Sequence, residues 1–172
     1  MEDLLGQQIE KKDAYLEFCY DSIFLTSERR YSQYYLLTDS CLGFLTELEE
    51  VQHALKHESH ERIIEEFGDV CFFYSILQNE LKHLVEHSTK EFYTEKASLS
   101  KLECIAYLRK FVAKNDKSCL FMLNNSVRVL FSNNANTTAR LLGMSEFELG
   151  IEAKQNNMNK IIERYGEQKN GF

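Results

Sequence analysis

Two short acidic runs, Glu47-Leu48-Glu49-Glu50 and Glu66-Phe67-Gly68-Asp69, lie symmetrically about one point of the chain. The midpoint of Glu47 and Asp69 is residue 58, and so is the midpoint of Glu50 and Glu66. On helices, acids at i and i+3 share a face about one turn apart. An antiparallel helical hairpin turning near Glu58-Ser59 therefore brings Glu47 level with Asp69 and Glu50 level with Glu66. Four carboxylates then face a single gap. Such a concentration of negative charge requires protons or a cation, and an all-oxygen set suits a hard divalent ion such as Mg2+ or Mn2+.

The hairpin presupposes helices, and the composition supports them. The 172 residues include no proline and only seven glycines. Long stretches carry apolar residues at helical spacing, which predicts an all-α fold in one domain. A first helix is expected from Leu4 or Lys11 to Leu25, burying Leu16, Cys19, Tyr20, Ile23 and Phe24 and ending at residues 26–30. A second is expected from about Ser32 to His57, with Leu37, Cys41, Phe44, Leu48, Val51 and Leu55 inward. The third starts after Ser59 as N-cap and buries Ile63, Phe67, Val70, Cys71, Tyr74, Leu77, Leu81 and Leu84, with residues 86–95 ending it. Ser100 and Glu103 form a capping-box pattern for a fourth helix running to Val112. A fifth is expected over Cys119–Phe131, followed by a loop at residues 132–137 and a short helix from Thr138 to Leu142 stopped at Gly143. Ser145 and Glu148 repeat the capping box for a last helix ending near Tyr165.

A net charge of −7 argues against nucleic acid as the main partner. Five irregularly spaced cysteines, Cys19, Cys41, Cys71, Cys104 and Cys119, fall mostly on apolar helical faces and read as reduced core residues of a cytoplasmic protein. The acidic start Met1-Glu2-Asp3 does not read as a signal peptide, and no apolar run approaches the roughly 20 residues of a membrane span.

Glycine inside a helix costs about 1 kcal/mol relative to alanine, yet Gly43 and Gly68 stand beside the acidic runs, where they would allow close helix approach or ligand access. The segments Leu42-Gly43-Phe44-Leu45-Thr46-Glu47-Leu48-Glu49-Glu50 and Glu65-Glu66-Phe67-Gly68-Asp69-Val70 resemble the paired ExxE and ExxD motifs of the MazG-like all-alpha nucleoside triphosphate pyrophosphohydrolases. Asn157-Met158-Asn159-Lys160-Ile161-Ile162-Glu163-Arg164-Tyr165 is similar to that family's C-terminal segment, and Gly171-Phe172 also fits. The similarity spans Leu37 to about Leu84 and Glu146 to Phe172, leaving a further helical segment at about 88–136 beside the bundle. Thr46 is a departure, because many relatives carry an acid there.

The resemblance implies that Glu47, Glu50, Glu66 and Asp69 bind Mg2+ and are the catalytic acids. It implies cleavage of a (deoxy)nucleoside triphosphate to the monophosphate and pyrophosphate. Lys160 and Arg164, with Asn157 one turn earlier, would hold the phosphates, and Lys56 is a weaker candidate. A metal-bridging carboxylate, or Glu49 turned inward, would accept the proton. A homodimer or homotetramer is implied as well. The alternative is a non-catalytic nucleotide-sensing or helical interaction module that keeps the acidic metal site.

Blander roles compete for several of these residues. Acidic runs are usually solvated faces, Glu49 is expected in solvent, and Lys160 and Arg164 would also complement the dipole at the end of a helix. Phe72, Phe73 and Tyr74 are expected in core or interface. Glu50-Val51-Gln52-His53 and Glu80-Leu81-Lys82-His83 match the E-x-x-H pattern of di-iron bundles. About residue 58, however, their acids are offset by about 20 Å along the hairpin at 1.5 Å per residue, too far to share a site. His83 and His87 at i and i+4 read as a solvated pair.

Overall fold

The computed structural model describes residues 14–23, 33–86 and 100–165, all helical apart from the short links. The expected ends of the first helix, Phe24, the breaks at 26–30 and 87–95, His87 and the terminal Gly171-Phe172 lie outside the described residues. Helix α1 covers residues 14–23. It is followed by α2 (Gln33–His57), α3 (His60–Glu86), α4 (Lys101–Lys114), α5 (Lys117–Leu142) and α6 (Glu146–Tyr165).

Helices α2 and α3 form the expected hairpin, with only Glu58 and Ser59 between them. The Ser59 hydroxyl accepts from the Arg62 amide at 3.4 Å, satisfying one of the free donors at the start of α3. Phe44, Leu48 and Val51 of α2 and Phe67, Val70, Leu77 and Leu81 of α3 are almost fully buried along the seam. Helix α3 is central, packing on α2, α5 and α6, while α4 leans on α5 and α2. Helix α1 buries Cys19 and Ile23 as expected, together with Tyr15 and Ser22, whereas Leu16 of the expected stripe is half-buried. Tyr20 is half-buried as well, and its hydroxyl donates to Glu80 at 2.6 Å. Glu80 thus belongs to a structural hydrogen bond between α1 and α3. All five cysteines are buried free thiols.

The caps are set by local sequence. Ser100 accepts from the Glu103 amide to start α4, and Asn115, in the left-handed region at φ 51°, ends it. Asp116 accepts from the Ser118 amide to open α5, and Gly143, at φ 71°, closes it. Ser145 and Glu148 make a reciprocal capping box, with bonds of 2.8 and 3.2 Å.

One expected break is absent. Residues 132–137 are helical, so α5 runs unbroken from Lys117 to Leu142. Asparagine is only a few tenths of a kcal/mol to about 0.7 kcal/mol worse than alanine in a helix, and the segment contains no glycine or proline. Ala135, Thr138 and Ala139 are buried, and that tertiary burial outweighs the weak local preference. The Asn136 side chain also donates to Glu146 at 2.9 Å, tying the end of α5 to the start of α6.

Gly68 and Gly43 stand where helices or rings approach closely. A Cβ on Gly68 would lie 2.5 Å from the Ala153 carbonyl oxygen of α6, and one on Gly43 would lie 2.5 Å from the Phe73 ring. Only glycine lets α6 settle this near to α3.

Candidate cation site

Glu47 of α2 and Glu66 and Asp69 of α3 offer carboxylate oxygens that all lie within 4.8 Å of one another. Hairpin register sets Glu47 beside Asp69, as the common midpoint predicts. Glu66 is buried, whereas Glu47 and Asp69 are half-buried. Glu50 does not join them. It is exposed and lies outside the group of three, although its charge is felt by both Glu47 and Glu66. The cause is helical phase: three residues turn a helix through about 300°, so Glu50 sits roughly 60° around from Glu47 and away from the seam.

Two cations serve the acids. Arg62 pairs with Glu66, and with Glu65 at 2.7 Å. Lys160 of α6 pairs with Asp69 and lies 3.7 Å from Glu65. Burial pushes Glu65 up, but Arg62 and Lys160 outweigh it and hold its carboxyl below the ordinary carboxylate range. At Glu66, burial together with Asp69 and Glu50 outweighs Arg62 and raises the carboxyl. Glu47 has no hydrogen-bond or ion-pair partner among the described residues. Burial, reinforced by Asp69, Glu50 and Glu66, pushes its carboxyl up to about 7. The cluster is therefore short of positive charge at one definite side chain.

The residues expected to hold phosphates divide into two groups. Asn157 is buried, and its Nδ2 donates to Asp69 Oδ1 at 2.6 Å. Asn157 and Lys160 thus both hold Asp69 instead of standing open for a phosphate. Arg164 is exposed in the last turn of α6, and Lys56 is exposed in the last turn of α2, where each complements the helix dipole. Glu49 is 65% exposed and pairs with Lys101 of α4 at 2.5 Å, so it is directed outward from the cluster. Thr46 bonds back to the Leu42 carbonyl at 3.0 Å.

A cleft of about 420 Å³ borders the cluster, lined by Glu49, Glu50, His53, Glu58, Arg62 and Glu66. Arg62 is the cation on this wall, and it was not among the residues expected from sequence. Its spacing, i to i+3 with Glu65 and i to i+4 with Glu66, was the available signal. A second cleft of about 550 Å³ lies between α3, α5 and the start of α6 and includes Tyr74, Arg128, Phe131 and Glu146. Tyr74 stacks on Phe131 with ring centroids 3.8 Å apart, so that aromatic face is already covered.

The donor set fits a hard divalent cation. Three carboxylate oxygens from two helices lie within 4.8 Å of one another, whereas around octahedral Mg2+ at ~2.1 Å per bond neighbouring ligands stand about 3.0 Å apart and opposed ones about 4.2 Å. The side chains would draw in around a bound ion. No described helix is long and apolar enough to cross a membrane. Comparison with protein-family models, with curated proteins and with solved structures found no match.

Proposed function

We propose that this chain is a Mg2+-dependent nucleotide pyrophosphohydrolase of the MazG-like kind, cleaving a (deoxy)nucleoside triphosphate to the monophosphate and pyrophosphate. The observation that carries the reading is the three-acid cluster with Glu47 left unpaired. A bound Mg2+ or Mn2+ supplies the positive charge that lets a polyphosphate approach these carboxylates. Glu47, Glu66 and Asp69 would hold the ion, with Glu50 one turn towards the cleft. Among the three, Glu47 alone receives no hydrogen bond from a described residue, so its second oxygen would be the one available to accept a proton from an attacking water. Arg62, on the cleft wall, is placed to receive phosphate oxygens if it releases Glu66. Five buried free thiols suit a cytoplasmic setting, and a dimer or tetramer accompanies the resemblance; light scattering tests the assembly.

The direct test is pyrophosphate detection with a panel of nucleoside triphosphates. Glu47→Gln and Glu66→Gln should abolish release while helical circular dichroism persists. Full activity in either variant, or release of orthophosphate alone, would overturn the assignment.

The opposite use of the site has its own support. Lys160, Asn157 and Arg62 are all engaged with the acids, an arrangement that also suits a nucleotide-sensing or interaction module without turnover. Saturable Mg2+-dependent nucleotide binding with no product after prolonged incubation is the outcome that selects it.

A further inference from the structure

We infer, given a cation site at the acidic cluster, that Tyr15 of α1 is a positioning residue for it, acting on Asp69 through Asn157. Tyr15 and Asn157 are 4% and 1% exposed. The Tyr15 hydroxyl donates to Asn157 Oδ1 at 3.2 Å, and Asn157 Nδ2 donates to Asp69 Oδ1 at 2.6 Å. An amide has two unlike ends. Reversed, it would set its oxygen against a carboxylate oxygen with no proton between them, so the acceptor-only Asp69 selects the observed orientation, and the Tyr15 hydroxyl, by donating to Oδ1, anchors the amide in it. Burial raises the Tyr15 hydroxyl above its ordinary value, so it keeps its proton across the working range.

The tyrosine is itself held in place. The Lys154 ammonium lies 5.2 Å from the centre of its ring, and Phe18 stacks at 6.4 Å. Asn157 consequently cannot flip without losing its bond to Asp69, and the fixed Tyr15 hydroxyl holds its other end. Its partner Asp69 receives one donor on each oxygen, from Asn157 on Oδ1 and from Lys160 on Oδ2. A carboxylate oxygen accepts two bonds, which leaves one acceptor position on each oxygen for an ion shared with Glu47 and Glu66. Helix α1 lies outside the segments that carry the acidic motifs, yet its hydroxyl anchors the amide that holds one of their carboxylates. Partners bonded directly to a metal-holding carboxylate, as Asn157 is to Asp69, change metal affinity by about 10- to 100-fold when removed, and Tyr15, one bond further out, is expected at the low end.

The test is Mn2+ binding to the full chain, followed by electron paramagnetic resonance well below the unfolding midpoint of each variant. Tyr15→Phe keeps the ring and its contact with Lys154 but removes the donor, and should weaken Mn2+ about tenfold. Lys154→Met keeps the hydroxyl and should stay within about twofold of wild type, although it disturbs the packing of the same ring. In an Asn157→Ala background, Tyr15→Phe should add nothing further, because the connection is already cut. Wild-type Mn2+ affinity in Tyr15→Phe overturns the proposal. So does an undiminished tenfold loss in the Asn157→Ala background, and so does an absence of saturable Mn2+ binding in the wild type. Should Asn157→Ala fail to fold, the contrast between Tyr15→Phe and Lys154→Met decides. Pyrophosphate release is scored separately: Mn2+ binding that depends on Tyr15, in a chain that hydrolyses no nucleotide, keeps the positioning role and removes only the enzymatic reading.

Discussion

Replacing Gly68 with alanine should loosen α6 from α3 and disturb the acidic cluster in one step. The new Cβ would stand 2.5 Å from the Ala153 carbonyl oxygen and 3.1 Å from the Asn157 Cβ, where ordinary contact begins at 3.4 Å. The nearer obstacle is backbone, so relief requires α6 to retreat by about 0.9 Å, the difference between 2.5 and 3.4 Å. The same retreat stretches the 2.6 Å bond from Asn157 to Asp69 to about 3.5 Å, the limit of hydrogen bonding. Overpacking costs about 1–3 kcal/mol and a lost bond to a charged group about 1.5–3, while alanine gains about 1 over glycine in a helix. Because the retreat that breaks the bond also relieves the clash, these terms do not simply add. The expected net is a destabilisation of about 2 kcal/mol, or about 4–8 °C for a chain of this size. Gly150→Ala is the internal control, since a Cβ there meets nothing within 4 Å. It should stabilise by about 0.5–1 kcal/mol. Urea unfolding followed by circular dichroism in EDTA reads both. If Gly68→Ala is stabilised as Gly150→Ala is, the close approach of α6 does not constrain this position and the reasoning fails.

Three further outcomes can be checked in the same assays. Glu47 binds its proton more tightly folded, about 7 against the ordinary 4.5, so its contribution to stability is full below about pH 4.5 and is lost as pH rises through about 7. Unfolding of the metal-free chain at several pH values should show that loss, and Glu47→Gln should flatten it; an unchanged profile in the variant removes the perturbed carboxyl from the account. Lys160→Met strips Asp69 of its cation and should destabilise the metal-free chain by about 2 kcal/mol, while Mn2+ stabilises the variant more than wild type in thermal unfolding; equal responses to Mn2+ would mean that Lys160 does not offset the acids. Glu50→Gln should weaken Mn2+ less than Glu66→Gln in a binding titration, because Glu50 is exposed and outside the group of three; the reverse order would place Glu50 among the ligands.

The hairpin was legible because register along two helices is a matter of counting, and Glu47 and Asp69 needed no other information to be set side by side. Counting does not give azimuth. Glu50 turns out of the seam because three residues fall short of a full helical turn, whereas the same shortfall between Glu66 and Asp69 is absorbed because both side chains reach the cluster. The capping boxes at Ser100 and Ser145 were legible for a related reason, since caps are made by neighbours. Residues 132–137 were misread as a loop because their helicity depends on what Ala135, Thr138 and Ala139 bury, which lies elsewhere in the chain. Tyr15 gave no signal at all: its partner is 142 positions away. Lys160 and Asn157 were expected to hold phosphates and meet Asp69 instead, because spacing within α6 says nothing about which group they face on α3.

The ion pair between Lys160 and Asp69 spans 91 positions and the bond from Tyr15 to Asn157 spans 142, whereas the α2–α3 hairpin closes over two residues. Loop-closure entropy therefore favours the hairpin forming first and the docking of α6 and α1 coming late. In the hairpin alone the carboxylates remain in water, where their mutual repulsion is slight. The helix that docks late on α3 is the one that carries Lys160. Asp69 therefore meets its cation in the same event that brings α6 against it, whereas Glu66 has Arg62 within α3 from the start and Glu47 is left without a partner among the described residues.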